Sequence, residues 1–234
     1  MQRKTGILII EDEAAIRNGL ADVFLYHGYA VDTAADGVSG LEKALTGGFE
    51  LVLLDIMLPG MDGFEVCDRL RAVDPEQPII MLTAKSGDEE IIRGLTLGAD
   101  DYVAKPFSVT QLVLRVKAVL RRAHAGQQLQ HTIRLGDYCD VDCLNLCGLS
   151  GGRRIGFTRK EVDILHYLRA NSARPVSREE LLNKVWGYGK NLGLETRTVD
   201  IHIAKLRRKI EPDPAQPRYL VTVRGAGYRL LTEA

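Results

Sequence analysis

The sequence has little of what marks a secreted, fibrous or membrane-embedded chain. Its 234 residues include four cysteines, one tryptophan and eight prolines, and aromatic residues make up 6%. The longest apolar runs are strand-length, well short of the ~20 residues a membrane-spanning helix needs. No signal-peptide pattern opens the chain, and repeats and low-complexity tracts are absent. Three of the cysteines, Cys139, Cys143 and Cys147, recur every fourth residue, which invites a metal reading. They fall in a strand-like segment, no histidine stands among them, and zinc sites usually carry Cys-x-x-Cys pairs. Together with Cys67 they read as free thiols in a reducing, cytoplasmic setting.

Net charge is missing as well, but only as a sum. Residues 1–124 hold 13 Lys+Arg against 19 Asp+Glu, and residues 125–234 hold 18 against 12. An acidic half joined to a basic half suggests a metal or regulatory site coupled to an anionic partner.

The stretch around which the first half is organised is Leu51-Val52-Leu53-Leu54-Asp55, followed by Ile56-Met57-Leu58-Pro59-Gly60. Four apolar residues read as a strand buried on both faces, and the run stops on a carboxylate before Pro59-Gly60 turns the backbone. Gly6 to Ile10 reads the same way and ends in Glu11-Asp12-Glu13. A helical pattern through Ile16, Leu20, Val23 and Phe24 follows, closed by Gly28 as a left-handed cap. Further strands are expected at Ala30–Ala34, Ile79–Leu82 and Asp101–Ala104, the last two ending at Thr83 and Lys105. Helices are expected at about 37–45, 64–72, 87–97 and 109–122, the last opened by Ser108 and Gln111 as a capping box.

Five strand–helix repeats argue for a parallel sheet with helices on both faces. Its strand ends then bring Glu11, Asp12, Asp55, Thr83 and Lys105 to one edge, where open parallel sheets collect their chemistry. A single Asp after a strand is ordinarily a helix cap. Acids, a hydroxyl and a lysine on four strand ends are a site. Asp12 and Asp55 offer hard oxygen ligands for Mg²⁺. Beside a metal, Asp55 can attack an incoming phosphoryl group, with Lys105 and the Thr83 hydroxyl holding the new oxygens.

Glu11-Asp12-Glu13, Asp55 to Pro59, Thr83-Ala84, Gly98 to Tyr102 and Lys105-Pro106-Phe107 together resemble the receiver domain of bacterial two-component response regulators. The resemblance covers residues 1–122. It implies that Asp55 accepts a phosphoryl group from a cognate histidine kinase. It implies Mg²⁺ held by Asp12, Asp55 and the Met57 carbonyl, with Glu11 acting through water. Thr83, with Ala84 beside it, and Tyr102 would form the switch, and Lys105-Pro106 would be cis.

Ala123 to His131 lacks periodicity and reads as a linker, 123–131. From 132 to 234 the pattern changes. Short β-type segments punctuated by glycine precede a capping box at Thr158 to Glu161 and a helix through Val162, Leu165 and Leu168. Another helix opens at Ser177 and runs to Trp186. In the helix 195–210, Val199, Ile203, Leu206 and Ile210 form the core side, opposite Arg197, Ile201, Ala204, Lys205 and Arg208. That cationic, partly apolar face can enter a major groove. His202, at its boundary, is better placed for a phosphate.

Arg197 to Ile203 and Val223 to Arg229 resemble the winged-helix effector domain of the OmpR/PhoB subfamily. The resemblance implies a recognition helix at 195–210 reading double-stranded DNA at promoter repeats through Arg197, Thr198, Ile201, His202, Lys205 and Arg208. It implies Arg224 in the minor groove and RNA polymerase contact through 187–194, while Arg229 is assigned a structural part. The expected fold is thus a doubly wound, five-stranded α/β receiver (flavodoxin-like) followed by an α+β winged helix-turn-helix domain.

The subfamily's active receivers pair through cross-subunit salt bridges. Asp101 with Arg115 is kept, but Ile91 and Gln111 stand where a charged pair is usual, and Thr96 replaces the acid expected opposite Lys117. The expectation is a weaker, more apolar, less salt-sensitive receiver dimer. A phosphohydrolase would carry a second Asp two residues after the nucleophile as general acid, and Met57 stands there. A regulator that ignores phosphorylation would have no need of the complete acid, Thr and Lys set.

Overall fold

The computed structural model describes residues 4–83, 88–123, 132–188 and 196–232, and for 88–92 and 121–123 the backbone alone. The chain divides into two compact units, Met1–Ala125 and Gly126–Ala234.

The first unit alternates strand and helix. In order these are β1 (Gly6–Ile10), α1 (Ala14–Tyr26), β2 (Ala30–Ala34), α2 (Gly37–Leu45), β3 (Leu51–Asp55) and α3 (Gly63–Val73). Then follow β4 (Ile79–Thr83), α4 (Asp88–Leu97), β5 (Asp101–Ala104) and α5 (Val109–Ala123). The strands form one parallel sheet in the order β2-β1-β3-β4-β5. Burial follows that order. The inner strands β1, β3 and β4 are buried at every position, as continuous Ile/Leu/Val runs require. The edge strands β2 and β5 alternate between covered and open positions. One face of the sheet packs Ile7, Ile9, Leu51, Leu53 and Leu82 against Leu20 and Phe24 of α1 and Leu112, Val116 and Leu120 of α5. Gly28 ends α1 with φ +87°, in the left-handed conformation its position demanded.

The strand order reverses between β1 and β3, so helices leave in opposite directions there and a crevice opens at the strand carboxyl ends. Asp55 sits at that point. Gly63 holds it in place from α3: a methyl group on Gly63 would lie 2.1 Å from the Asp55 carbonyl oxygen. Asp62 caps the same helix by accepting from the Glu65 N–H at 2.8 Å.

The second unit begins with an antiparallel sheet of β6 (Thr132–Leu135), β7 (Cys139–Asp142), β8 (Cys147–Ser150) and β9 (Arg153–Gly156). Then come α6 (Arg159–Ala170), α7 (Arg178–Leu181), a π-helical turn Leu182–Trp186, α8 (Arg197–Ile210) and the hairpin β10 (Leu220–Val223) with β11 (Gly227–Leu230). Val176 exchanges both backbone hydrogen bonds with Tyr228, adding a third short strand to the hairpin. The capping box at α6 is complete, with Thr158 and Glu161 each bonded to the other's backbone N–H. The helix expected from Ser177 to Trp186 is interrupted: one α turn passes into the π turn, which Gly187 terminates at φ +73°. Val199, Ile203, Leu206 and Ile210 are buried, the core side read from their spacing. The architecture is that of a receiver followed by a winged helix.

Candidate functional site

Three strands deliver the first site. Glu11 follows β1, Asp55 ends β3 and Lys105 follows β5. The Lys105 ammonium donates to Glu11 Oε1 and Oε2 at 2.9 and 2.7 Å and to Asp55 Oδ2 at 2.9 Å. Carboxylate oxygens of Glu11, Asp12 and Asp55 all lie within 4.8 Å of one another. Like charges at that separation repel by about 3 kcal/mol at an effective dielectric of 20. Lys105 bonds two of the three carboxylates, and hard oxygen donors gathered this closely fit Mg²⁺.

Burial pushes the Glu11 carboxyl above its ordinary range, against the Lys105 hydrogen bond that lowers it. Burial also works to lower the Lys105 ammonium, but the bonds to Glu11 and Asp55 outweigh it and leave that group raised. The pair is therefore held as an ammonium between two acids.

The Lys105 backbone N–H donates to the Thr83 carbonyl at 2.6 Å, and the Lys105-Pro106 bond that follows is cis. Thr83 is buried, and Tyr102 is half-buried on the adjacent strand. Met57 lies at the mouth, with its N–H directed to Asp55 Oδ1 at 3.4 Å and its side chain exposed. Ala84, the other residue expected here, lies outside the described residues. A separate cavity lined by Lys4, Gly6, Ala30, Val31, Asp32, Gly48 and Phe49 shares no residue with this cluster.

Arg115 and Asp101, expected to meet across two subunits, bond within the chain. The guanidinium donates to Asp101 Oδ2 at 2.6 Å and to the Tyr102 carbonyl at 3.3 Å, with both side chains largely buried. Gln111 is exposed, and the Ile91 side chain lies outside what is described.

The second site is the outer face of α8 with the hairpin. Arg208, Ala204 and Arg224 are exposed and Arg197 is half-buried. Four residues expected beside them are placed differently. His202 is fully enclosed, its ring 5.1 Å from and edge-on to Trp186, with Nδ1 on the Thr198 carbonyl at 2.9 Å. Burial pushes that imidazole down to about 4. It is placed in the core and not on the open face expected of it. Ile201 and Thr198 are also buried. Lys205 turns inward to the buried Glu161 carboxylate at 3.3 Å, which Lys209 contacts at 2.7 Å. The π turn carrying Trp186, together with the start of α6, covers a flank of α8 that its own periodicity leaves open.

Several functional neighbours were missed. Arg207 donates to the Leu220 carbonyl and the Thr222 hydroxyl, each at 2.8 Å, fastening the hairpin to α8. Arg178 and the Tyr228 hydroxyl both donate to Asp200 Oδ1 at 2.6 Å, fixing the first turn of α8. Partners 13 to 28 residues apart have no periodic signature. The buried Glu211 accepts from the N–H groups of Arg218, Tyr219 and Leu220, setting the start of β10. Arg229 donates to the Ser172 carbonyl at 2.7 Å, the structural part expected of it. All four cysteines are free thiols, and burial pushes Cys139 and Cys143 up to about 11. The loop 187–194 is outside the described residues from 189 onward, as is the linker from 124.

Residues 7–117 match the family described as response regulator receiver domain, and residues 152–230 match transcriptional regulatory protein, C terminal. The chain is 42% identical over 234 residues to sensory transduction protein RegX3 of Mycolicibacterium smegmatis, covering 97% of this chain and 99% of that one. It is 40% identical to response regulator ArlR of Staphylococcus haemolyticus, covering 96% and 98%. Among solved structures, a RitR mutant aligns with TM-score 0.76 at 29% identity, over 98% of this chain and all of that one. DrrB of Thermotoga maritima, an OmpR/PhoB homologue, aligns with TM-score 0.51 at 33% identity, over 97% and 99%.

Proposed function

Because this chain belongs to the two-component response regulators that join a receiver domain to a transcriptional regulatory C-terminal domain, we propose that phosphoryl transfer to Asp55 switches its DNA binding. Residues 1–122 are the phospho-acceptor domain, 123–131 the linker and 132–234 the effector. The observation that carries this reading is the Lys105 ammonium bridging Glu11 and Asp55 at the carboxyl ends of three strands.

A carboxylate oxygen of Asp55 attacks the phosphorus of a phosphohistidine on the kinase. The new P–O bond forms as the P–N bond breaks, and the imidazole leaves with the electron pair. Lys105 exchanges its bond to Asp55 for one to a transferred oxygen, and the Thr83 hydroxyl donates to another. Tyr102 follows Thr83 as the second half of the switch. Mg²⁺, held by Asp12, Asp55 and the Met57 carbonyl with Glu11 through water, would neutralise charge on the phosphoryl oxygens. No carboxylic acid stands where Met57 does, so rapid hydrolysis is not expected, and the chain acts as a regulator rather than a turnover enzyme.

The phosphorylated receiver pairs with a second copy through α4, β5 and α5, including Asp101, Arg115, Ile91 and Gln111. Arg115 must exchange its in-chain Asp101 for the partner's, which adds little net energy. Paired effectors then occupy promoter repeats spaced by about one DNA turn, 10–11 bp. Arg197, Arg208 and Arg224 are the contacts on offer, and the loop 187–194 remains the candidate for RNA polymerase. A cytoplasmic location follows from a DNA target, and no helix among the described residues is long and apolar enough to cross a membrane.

The test is labelling with acetyl phosphate and Mg²⁺, followed by mapping of the acyl phosphate. Label on Asp55 that vanishes in Asp55→Ala and falls sharply in Lys105→Ala is expected. Label elsewhere, or undiminished label in Asp55→Ala, would overturn the reading.

A further inference from the structure

The acidic turn is held by a contact that no motif announces. Nη1 of Arg17 donates to the carbonyl oxygens of both Glu11, at 2.7 Å, and Asp12, at 2.8 Å. Arg17 is the fourth residue of α1, in the positive end of the helix dipole, where a cation is disfavoured. Nothing in the helix start compensates: Glu13 makes no side-chain cap and the first turn has no acid. The local rules of helix design therefore give no reason for an arginine here. The turn that feeds the site does.

The two metal-binding acids of that turn are supported unequally. Lys105 grips the Glu11 side chain. Among the described residues no side chain holds the Asp12 carboxylate, which is exposed. Its place is set by its backbone, and one guanidinium nitrogen fixes the peptide planes on both sides of it. Lys105, moreover, is the group expected to turn towards the phosphoryl oxygens, which loosens its hold on Glu11. Arg17 has no such competing task.

We infer that Arg17 is a positioning residue that fixes the Glu11-Asp12 turn and so sets the affinity of the site for a divalent cation. This rests on reading Glu11, Asp12 and Asp55 as a Mg²⁺ site. Outer partners of metal ligands typically contribute 10–100-fold in affinity. With Asp12 exposed beside buried Glu11 and Asp55, the lower end of that range is expected.

The test is a titration of the full-length protein with Mn²⁺, followed by electron paramagnetic resonance, in wild type, Arg17→Gln and Arg17→Lys. Thermal unfolding in metal-free buffer is the control for folding. A dissociation constant raised ~10-fold in Arg17→Gln is expected, with Arg17→Lys between the two, since an ammonium can donate to the same carbonyls. In acetyl phosphate labelling, the Mg²⁺ needed for half-maximal rate should rise by a similar factor while the rate at saturating Mg²⁺ stays within about twofold. A merely structural arginine would lower the unfolding midpoint without moving the metal requirement. Should Arg17→Gln fail to fold, Arg17→Lys alone decides by the same readouts. Wild-type binding with unchanged affinity in the folded variants would overturn the inference alone. A wild type that binds no Mn²⁺ would overturn the metal reading and the inference with it.

Discussion

His202 shows how one side chain changes part when its surroundings are known. On a helical wheel it lies beside the arginines proposed to face DNA, but Trp186 and the Thr198 carbonyl enclose it. Lys160, Lys205 and Glu161 are the charged groups around it, and burial dominates, holding it neutral down to about 4. The unfolded chain takes up a proton below the ordinary value of about 6.5, and the folded one does not. His202 thus contributes stability that is complete above 6.5 and is lost as pH falls towards 4, at up to about 1.4 kcal/mol per pH unit. Urea unfolding between pH 7.5 and 5 should show a steeper decline for wild type than for His202→Gln; parallel declines would contradict the buried neutral imidazole. At this scale the receiver site was legible and the effector site less so. Glu11, Asp12, Asp55, Thr83 and Lys105 lie at strand ends, and a parallel sheet gathers strand ends whatever the rest does. Arg17 escaped because a bond from a side chain to a backbone carbonyl leaves no trace in residue type or spacing.

Among the elements, α8 and the hairpin act as one piece through Arg207. Two hydrogen bonds from a guanidinium, to Leu220 and Thr222, hold the strand that precedes exposed Arg224. Bonds to a charged group contribute roughly 1.5–3 kcal/mol. Arg207→Ala should therefore weaken binding to target DNA, as Arg224→Ala should, each by about tenfold, a factor equivalent to about 1.4 kcal/mol. Because Arg207 acts by holding the wing, the double variant should be little weaker than the worse single one. Fully additive losses in a DNA-binding titration would mean that Arg207 contacts DNA independently. The helices and strands themselves were read well where period and caps agree: the capping box at Thr158 and the left-handed Gly28 are where their residues place them. The π turn at Leu182–Trp186 was not legible. Its apolar residues keep helical spacing, and only tertiary packing selects the wider turn that swings Trp186 over α8.

For the whole molecule, the opposed charges of the two halves find their reason in the sites: acids gather where a cation and a phosphoryl group would be received, and cations where DNA would be. In the function proposed above, pairing of receivers would join the two events. By the resemblance, the proposed interface would lack two of three usual ion pairs, at Ile91 with Gln111 and at Thr96 with Lys117, and the Asp101–Arg115 pair is closed within the chain. Exposed pairs contribute only about 0–1 kcal/mol each, so dimerisation survives their loss but should respond weakly to salt. Sedimentation of the full-length protein with Mg²⁺, with and without beryllofluoride as the phosphoryl mimic, tests the switch most directly. Wild type should pass from monomer to dimer only with beryllofluoride, little altered by added salt, and Asp55→Ala should remain monomeric. A wild type that is dimeric in every condition, or an Asp55→Ala variant that dimerises alike, would contradict control through Asp55.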